Sequence, residues 1–229
     1  MGQNSGTSRQ KKARHGSSRA GPWPVQLRFA CELTGEEYVS QGAWQNASLP
    51  RCPLHPEGGC GFARHGTYTR VSPPGTQIAR WYCPKGHRTF SLLPDCLAAR
   101  LSGTLNEVEA VVRAAEQAPS LEAACQALRP DIELPGVLRW ARRRVQAVHA
   151  ALQALKGLLP HQFPCPATLV AFAVCLGVTE VLVALRPIGD PFLQNLPTPL
   201  GFRPRHTSGD GGGRARQHCA GPDPPGVPA

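Results

Sequence analysis

The sequence predicts an α+β fold, with a small β-hairpin ribbon followed by an α-helical region and with disordered termini. Three observations carry that expectation. Two short clusters rich in Cys, His, Pro and Gly stand at residues 52–60 and 83–90, with strand-like runs between them. From residue 104 onward the apolar residues recur at three- and four-residue steps, the period of a helix face. Toward both ends the chain becomes rich in Gly, Pro, Ser and Arg and loses any apolar period.

The first cluster is Cys52-Pro-Leu-His55-Pro-Glu-Gly-Gly-Cys60-Gly, and the second is Cys83-Pro-Lys-Gly-His87-Arg-Thr-Phe90. A structural zinc takes four thiolate or imidazole ligands in a tetrahedron, commonly delivered by two chain turns. Both clusters have that form, because Pro fixes φ after Cys52 and Cys83 and Gly lets the backbone turn sharply beside a ligand. The expected ligands are Cys52, Cys60, Cys83 and His87, binding Zn2+. The first knuckle has an alternative, since Cys52 and His55 form a compact C-x2-H pair; Cys60 is preferred as a thiolate followed by Gly61. His65 reads as structural or phosphate-facing.

Between the knuckles, Arg64-His-Gly-Thr-Tyr-Thr-Arg70 and Gln77-Ile-Ala-Arg-Trp-Tyr82 read as two strands joined by Ser72-Pro-Pro-Gly-Thr76, which is turn chemistry. This gives a zinc ribbon over residues 51–94, preceded by a lead-in over 22–50 that carries Trp23, Phe29, Tyr38 and Trp44 and reads as a short β segment. Residues 1–21 hold Arg9, Lys11, Lys12, Arg14 and Arg19 with no acid and no apolar core of a signal peptide, so they are expected to form a disordered basic arm. Nine cysteines in 229 residues, an odd number on a chain without a secretory leader, fit reduced thiols and a cytoplasmic setting.

A net charge of +10 and a pI near 9.6 favour an acidic polymer as partner. Residues 51–100 concentrate Arg51, Arg64, Arg70, Arg80, Lys85, Arg88 and Arg100 against Glu57 and Asp95, and residues 136–160 contain no acid.

The helical region over 95–160 opens at Thr104-Leu-Asn-Glu107, a capping box ahead of Leu105, Val108, Val112 and Ala115. Pro119 and Ser120 start a second helix bearing Leu121, Ala124, Cys125 and Leu128. A loop over 129–135 precedes the longest helix, about 136–158, whose seam is Leu138, Ala141, Val145, Val148, Leu152 and Leu155. On its other side Arg139, Arg142, Arg143 and Gln146 fall at i, i+3, i+4 and i+7, flanked by Trp140 and Arg144. Three helices with a basic face near the start of the last suggest a helix-turn-helix, with that start in the major groove of double-stranded DNA. Arg64, Arg70 and Arg80 on the ribbon strands are the second set of expected DNA contacts.

Residues 167–185 are strongly apolar, but Gly177, Thr179 and Glu180 interrupt them, leaving too few clean residues for the ~20 a bilayer needs. Two short buried helices over 161–186 are expected, and no membrane. Residues 187–229, with Pro187, Pro191, Pro197, Pro199 and Pro204, read as a disordered Pro/Gly-rich tail.

The run from Cys52 to Leu101, above all Arg64-His-Gly-Thr-Tyr and Trp81-Tyr-Cys-Pro-Lys-Gly-His-Arg-Thr-Phe-Ser-Leu-Leu-Pro94, resembles the zinc-binding N-terminal segment of bacterial insertion-sequence transposases and of related uncharacterised element-encoded proteins. Those segments carry a C-P-x-C-G knuckle, a His-Gly-x-Tyr strand and an aromatic-x-Cys-x-x-Cys-Gly-Arg-Thr-Phe-Ser run before a helix-turn-helix. The likeness is good over about fifty residues and loose over the next sixty. It places Cys52, Cys60 and Cys83 on metal positions and Gly86 where the fourth Cys would be, with His87 as the substitute. It implies a transposition-related DNA binder, with a transposase, or another copy through the long helix, as protein partner.

A transposase nuclease uses separated carboxylates on alternating strands and helices to hold two metal ions. Beyond the long helix only Glu180, Asp190, Asp210 and Asp223 are available, and none sits on a convincing strand. The expectation is therefore a non-enzymatic accessory or remnant of a transposition system. A free-standing transcriptional regulator and a zinc-ribbon protein-interaction module are the alternatives. A thiol enzyme built on Cys96 or Cys125 is disfavoured, since neither has a nearby partner in sequence.

Overall fold

The computed structural model describes residues 25–203. The expected basic arm at 1–21 and the tail beyond 203 lie outside the described residues. Four strands, β1 (Val25–Phe29), β2 (Ala63–Thr69), β3 (Gln77–Cys83) and β4 (Arg88–Pro94), form a mixed sheet in the order β1-β4-β3-β2. Six helices accompany it among the described residues: α1 (Gly35–Ser40), α2 (Leu105–Gln117), α3 (Leu121–Leu128), α4 (Leu134–Leu158), α5 (Leu169–Leu176) and α6 (Val181–Ile188).

The expected hairpin is β2 and β3, antiparallel, with a bulge between Arg64 and Thr67 where Gly66 adopts φ 79°. β2 is the edge strand, and its mostly exposed polar residues suit an unpaired edge. β4 is an addition to that reading, while β1 falls in the lead-in expected to hold a short β segment. β4 pairs antiparallel with β3, and β1, within the lead-in, pairs parallel with β4 from Val25 opposite Phe90 to Phe29 opposite Pro94. The Phe90 to Pro94 segment is buried throughout because β4 is an inner strand covered on both faces. Phe90 packs in the cysteine cluster, Leu92 against Ala47 and Ala79, and Leu93 in the main core. Arg28 reaches across the end of the sheet in a bidentate pair with Asp95 at 2.8 and 2.7 Å.

The lead-in also contains α1, opened by a capping box between Thr34 and Glu37. That signal was as plain as the one at Thr104 and Glu107, which the structure also forms. Ser120 caps α3 as expected. The long helix begins at Leu134 rather than Gly136. Pro135 sits in its first turn, where a missing N–H leaves no intrahelical bond unmade. Its buried stripe is Val137, Ala141, Arg144, Val148, Ala151, Leu152 and Leu155, so Leu138 and Val145 of the expected seam flank it.

Two carboxylates on one face of α2 organise the remaining helices. Glu109 accepts from the amides of Val181 and Leu182 at 3.1 and 2.8 Å, and Glu116 from those of Leu169 and Val170 at 3.0 and 3.2 Å. Each acid thus satisfies the orphan donors at the N-terminus of α6 or α5. The two short helices break at Gly177, which takes φ 67° as the C-cap of α5. Among the described residues no single helix is long and apolar enough to cross a membrane. α5 and α6 would reach that length only together, bent by 66°, and their Leu169, Phe172, Val181, Leu182 and Leu185 are buried in the core.

Two organisational expectations are corrected. Ile78 and Leu93 of the sheet share one core with Leu105, Val148, Leu155 and Phe172 of the helices, so the borders at 94/95 and 160/161 do not divide the packing. Residues 187–203 are not a loose tail: Leu193, Leu196, Leu200 and Phe202 enter that same core. The Ala99 amide donates to Pro199 O at 2.9 Å, and Arg186, fully buried, donates to Leu97 O and Pro199 O at 2.8 and 3.2 Å. Pro187 lies inside the last turn of α6, and the proline-rich segment beyond it carries apolar residues into the core.

Candidate metal centre

The turn after Cys52 is closed by the His55 amide donating to Cys52 O at 3.2 Å, which brings both side chains to the same side. The chain returns through residues 56–59 to deliver Cys60, after which Gly61 takes φ 67°. Cys83 comes from the opposite direction, as the last residue of β3. Its sulfur accepts the Gly86 amide at 3.2 Å, an arrangement that favours a thiolate.

These turns bring together Cys52, His55, Cys60 and Cys83, whose ligand atoms all lie within 4.8 Å of one another. His55 Nδ1 stands 3.6 Å from Cys52 Sγ and 3.3 Å from Cys83 Sγ. Zinc–sulfur bonds of about 2.3 Å and zinc–nitrogen bonds of about 2.0 Å in a tetrahedron place sulfur and nitrogen ligands ~3.5 Å apart. The donor set and spacing therefore fit a metal ion of that size. The three cysteines are buried against Phe90, Phe62, Trp81, Val25, Leu27 and Leu49, with Phe62 stacked on Trp81 at 5.3 Å. Burial pushes the Cys52 thiol up, but hydrogen bonding to His55, to backbone amides and to Cys83 outweighs it, bringing the thiol down to about 7. Cys83, with burial the largest effect and other thiols beside it, is held above the ordinary value.

The fourth ligand is where structure and expectation part. His87, one of the four expected ligands, is outside the group: its backbone is left-handed (φ 48°), it is exposed, and its Nδ1 lies 3.4 Å from the Tyr82 hydroxyl. His55, the alternative, takes the place, alongside Cys60 rather than instead of it. Gly86 explains the exchange. A Cβ there would stand 3.3 Å from Cys83 Sγ and 3.6 Å from His55 Cε1, so position 86 faces the cluster but has no side chain to offer. The His55 ring fills the space that the missing side chain leaves. The signal in the sequence was the pairing of a C-x2-H turn with a glycine at the second position of the other knuckle.

The expected DNA contacts divide into two groups. Arg139, Arg142, Arg143 and Gln146 are exposed on α4. Arg144 is not on that face; it is buried, with its guanidinium 4.3 Å from the Trp140 ring centroid, and Arg129 lies 4.4 Å from the same ring. Arg70 is likewise diverted, donating to the carbonyls of Ala98 and Leu101 and so fastening the hairpin to the segment before α2. Arg64 donates to Trp44 O and Gln45 O at 2.7 Å each, while Arg80 is half-buried on β3. Of the carboxylates weighed for a nuclease, Glu180 accepts from Asn106 at 2.8 Å and Asp190 lies 3.4 Å from Arg28; Asp210 and Asp223 are outside the described residues.

No protein-family model, no curated protein and no solved structure matches this chain.

Proposed function

We propose that this chain is a zinc-stabilised DNA-binding protein, with Cys52, His55, Cys60 and Cys83 holding a structural zinc and the exposed arginines of α4 engaging duplex DNA. The observation that carries the reading is the convergence of three buried cysteines and one histidine from two separate turns. Four protein ligands leave no open coordination position, which is the arrangement of a structural rather than a catalytic zinc. Such a metal would tie residues 52–60 to the end of β3 and so fix the entry to the hairpin.

The DNA part rests on Arg139, Arg142 and Arg143, exposed together on one side of a helix that carries no acid, Glu133 being its N-cap. Their guanidinium groups suit phosphates or guanine edges. α2, α3 and α4 would then act as a helix-turn-helix, and the accessory role in transposition is the one the resemblance implies. Zinc content by elemental analysis tests the first part, one ion per chain being expected. Titration against duplex DNA at graded salt tests the second. Replacing all three arginines by Ala should flatten the slope of log affinity against log salt by about 2.7 if each contacts a phosphate. An unchanged slope in a folded triple variant would remove α4 from the DNA interface.

A further inference from the structure

Two thiols outside the metal centre follow the adjoining ends of β1 and β4 and line one cavity. The parallel pairing of β1 and β4 ends with Phe29 opposite Pro94. Two residues further along each chain stand Cys31 and Cys96. Both lie just past the paired strands, Cys96 in the turn that the Leu97 amide closes by donating to Pro94 O at 3.1 Å. The Arg28–Asp95 pair holds the two strand ends together immediately before these residues. Each of the two thiols shifts the other's proton affinity.

Both cysteines line a cavity of about 720 Å³ between α1, the β2–β3 turn and the start of α2. Cys31 is half-buried and Cys96 is 5% exposed, so one thiol can be reached and the other stands behind it. The cavity wall also carries Glu32, Glu36, Glu107 and Glu180, and none of its lining residues is Lys, Arg or His. On a chain of net charge +10 this is an acidic opening.

We propose that Cys31 and Cys96 form a thiol–disulfide exchange site that opens onto this cavity and accepts a small cationic disulfide. Cys31 attacks one sulfur of the substrate R–S–S–R, whose S–S bond breaks; one half leaves as thiolate and takes up a proton, and the other half stays joined to Cys31. Cys96 then gives its proton to solvent and attacks the Cys31 sulfur, breaking the mixed disulfide and releasing the second half, which is protonated in turn. Two electrons pass from the dithiol to the substrate, leaving a Cys31–Cys96 disulfide and two RSH. The order of attack follows the environments. Hydrogen bonding with Cys96, and with the backbone of Asp95 and Leu33, brings the Cys31 thiol down to about 7, while Cys96 is held well above its ordinary value by Cys31 and by burial. The carboxylates disfavour an anionic disulfide at the mouth.

The test uses the zinc-loaded full chain, treated with cystamine or oxidised glutathione, quenched by alkylation and mapped by peptide mass spectrometry. Cystamine should give a linked Cys31–Cys96 peptide pair in the wild type, and Cys96→Ser should trap cysteamine on Cys31. In Cys31→Ser, Cys96 should stay unmodified over the same interval. Relative to the exposed Cys175 in the same samples, Cys31 should prefer cystamine over glutathione disulfide by at least tenfold. A mixed disulfide persisting on Cys31 of the wild type, or a Cys31 that reacts no faster than Cys175, would overturn the exchange site; an equal preference at both thiols would overturn the cationic substrate. Zinc measured in the same samples reports on the separate cysteines of the metal centre.

Discussion

Replacing His55 by Ala should weaken zinc binding by about two orders of magnitude, while replacing His87 by Ala should leave it within about threefold. The magnitude follows from the ligand count. A structural zinc contributes ~10 to 16 kcal/mol in small domains at neutral pH, so each of four ligands carries roughly 3 kcal/mol, or about 100-fold at 1.4 kcal/mol per decade. His55 is one of the four converging groups, with Nδ1 3.3 Å from Cys83 Sγ. His87 points instead at the Tyr82 hydroxyl from an exposed position, and its loss removes only that 3.4 Å contact. Because water can occupy a vacated position on the metal, stoichiometry at high zinc is a poor readout. Competition with a chromophoric chelator at fixed pH reads the affinity itself, and a thermal melt of the same samples reads the linked loss of stability. If His87→Ala weakens binding as much as His55→Ala, the argument from the convergent ligand atoms fails and the centre uses another arrangement.

Three further outcomes are expected. Gly86→Cys in the His55→Ala background should recover most of the lost zinc affinity in the same competition assay. The new Cβ faces the cluster, and its one severe contact, 2.6 Å to Leu54 Cδ1, is with the end of a half-exposed side chain that can move. Glu109→Ala should lower the free energy of urea unfolding by ~2 to 4 kcal/mol, because two buried amides of α6 lose their acceptor, with Glu109→Gln intermediate. Phe202→Ala should cost ~3 to 5 kcal/mol in the same measurement with zinc content unchanged, since Phe202 is 2% exposed in the main core.

Local chemistry in the sequence determined a good part of this protein. The capping box at Thr104 and Glu107, the Ser120 cap and the break at Gly177 are each decided within one turn of chain, and all three stand in the structure. The hairpin was legible because turn residues separate two strand-like runs, and Cys52, Cys60 and Cys83 because thiols followed by Pro or Gly have a definite coordination chemistry. Tertiary structure decided what depends on partners remote in the chain. Arg70 and Arg144 look like members of a basic surface in sequence, yet one satisfies carbonyls of the segment before α2 and the other lies over Trp140. A guanidinium serves a carbonyl or an indole as readily as a phosphate, so only position separates these uses. Cys96 and Cys31 come to one cavity because β1 pairs in parallel with β4, a register that no local pattern specifies. His55 displaced His87 from the cysteine cluster because two turns far apart in sequence face each other there, and the side chain absent at Gly86 left room for the ring.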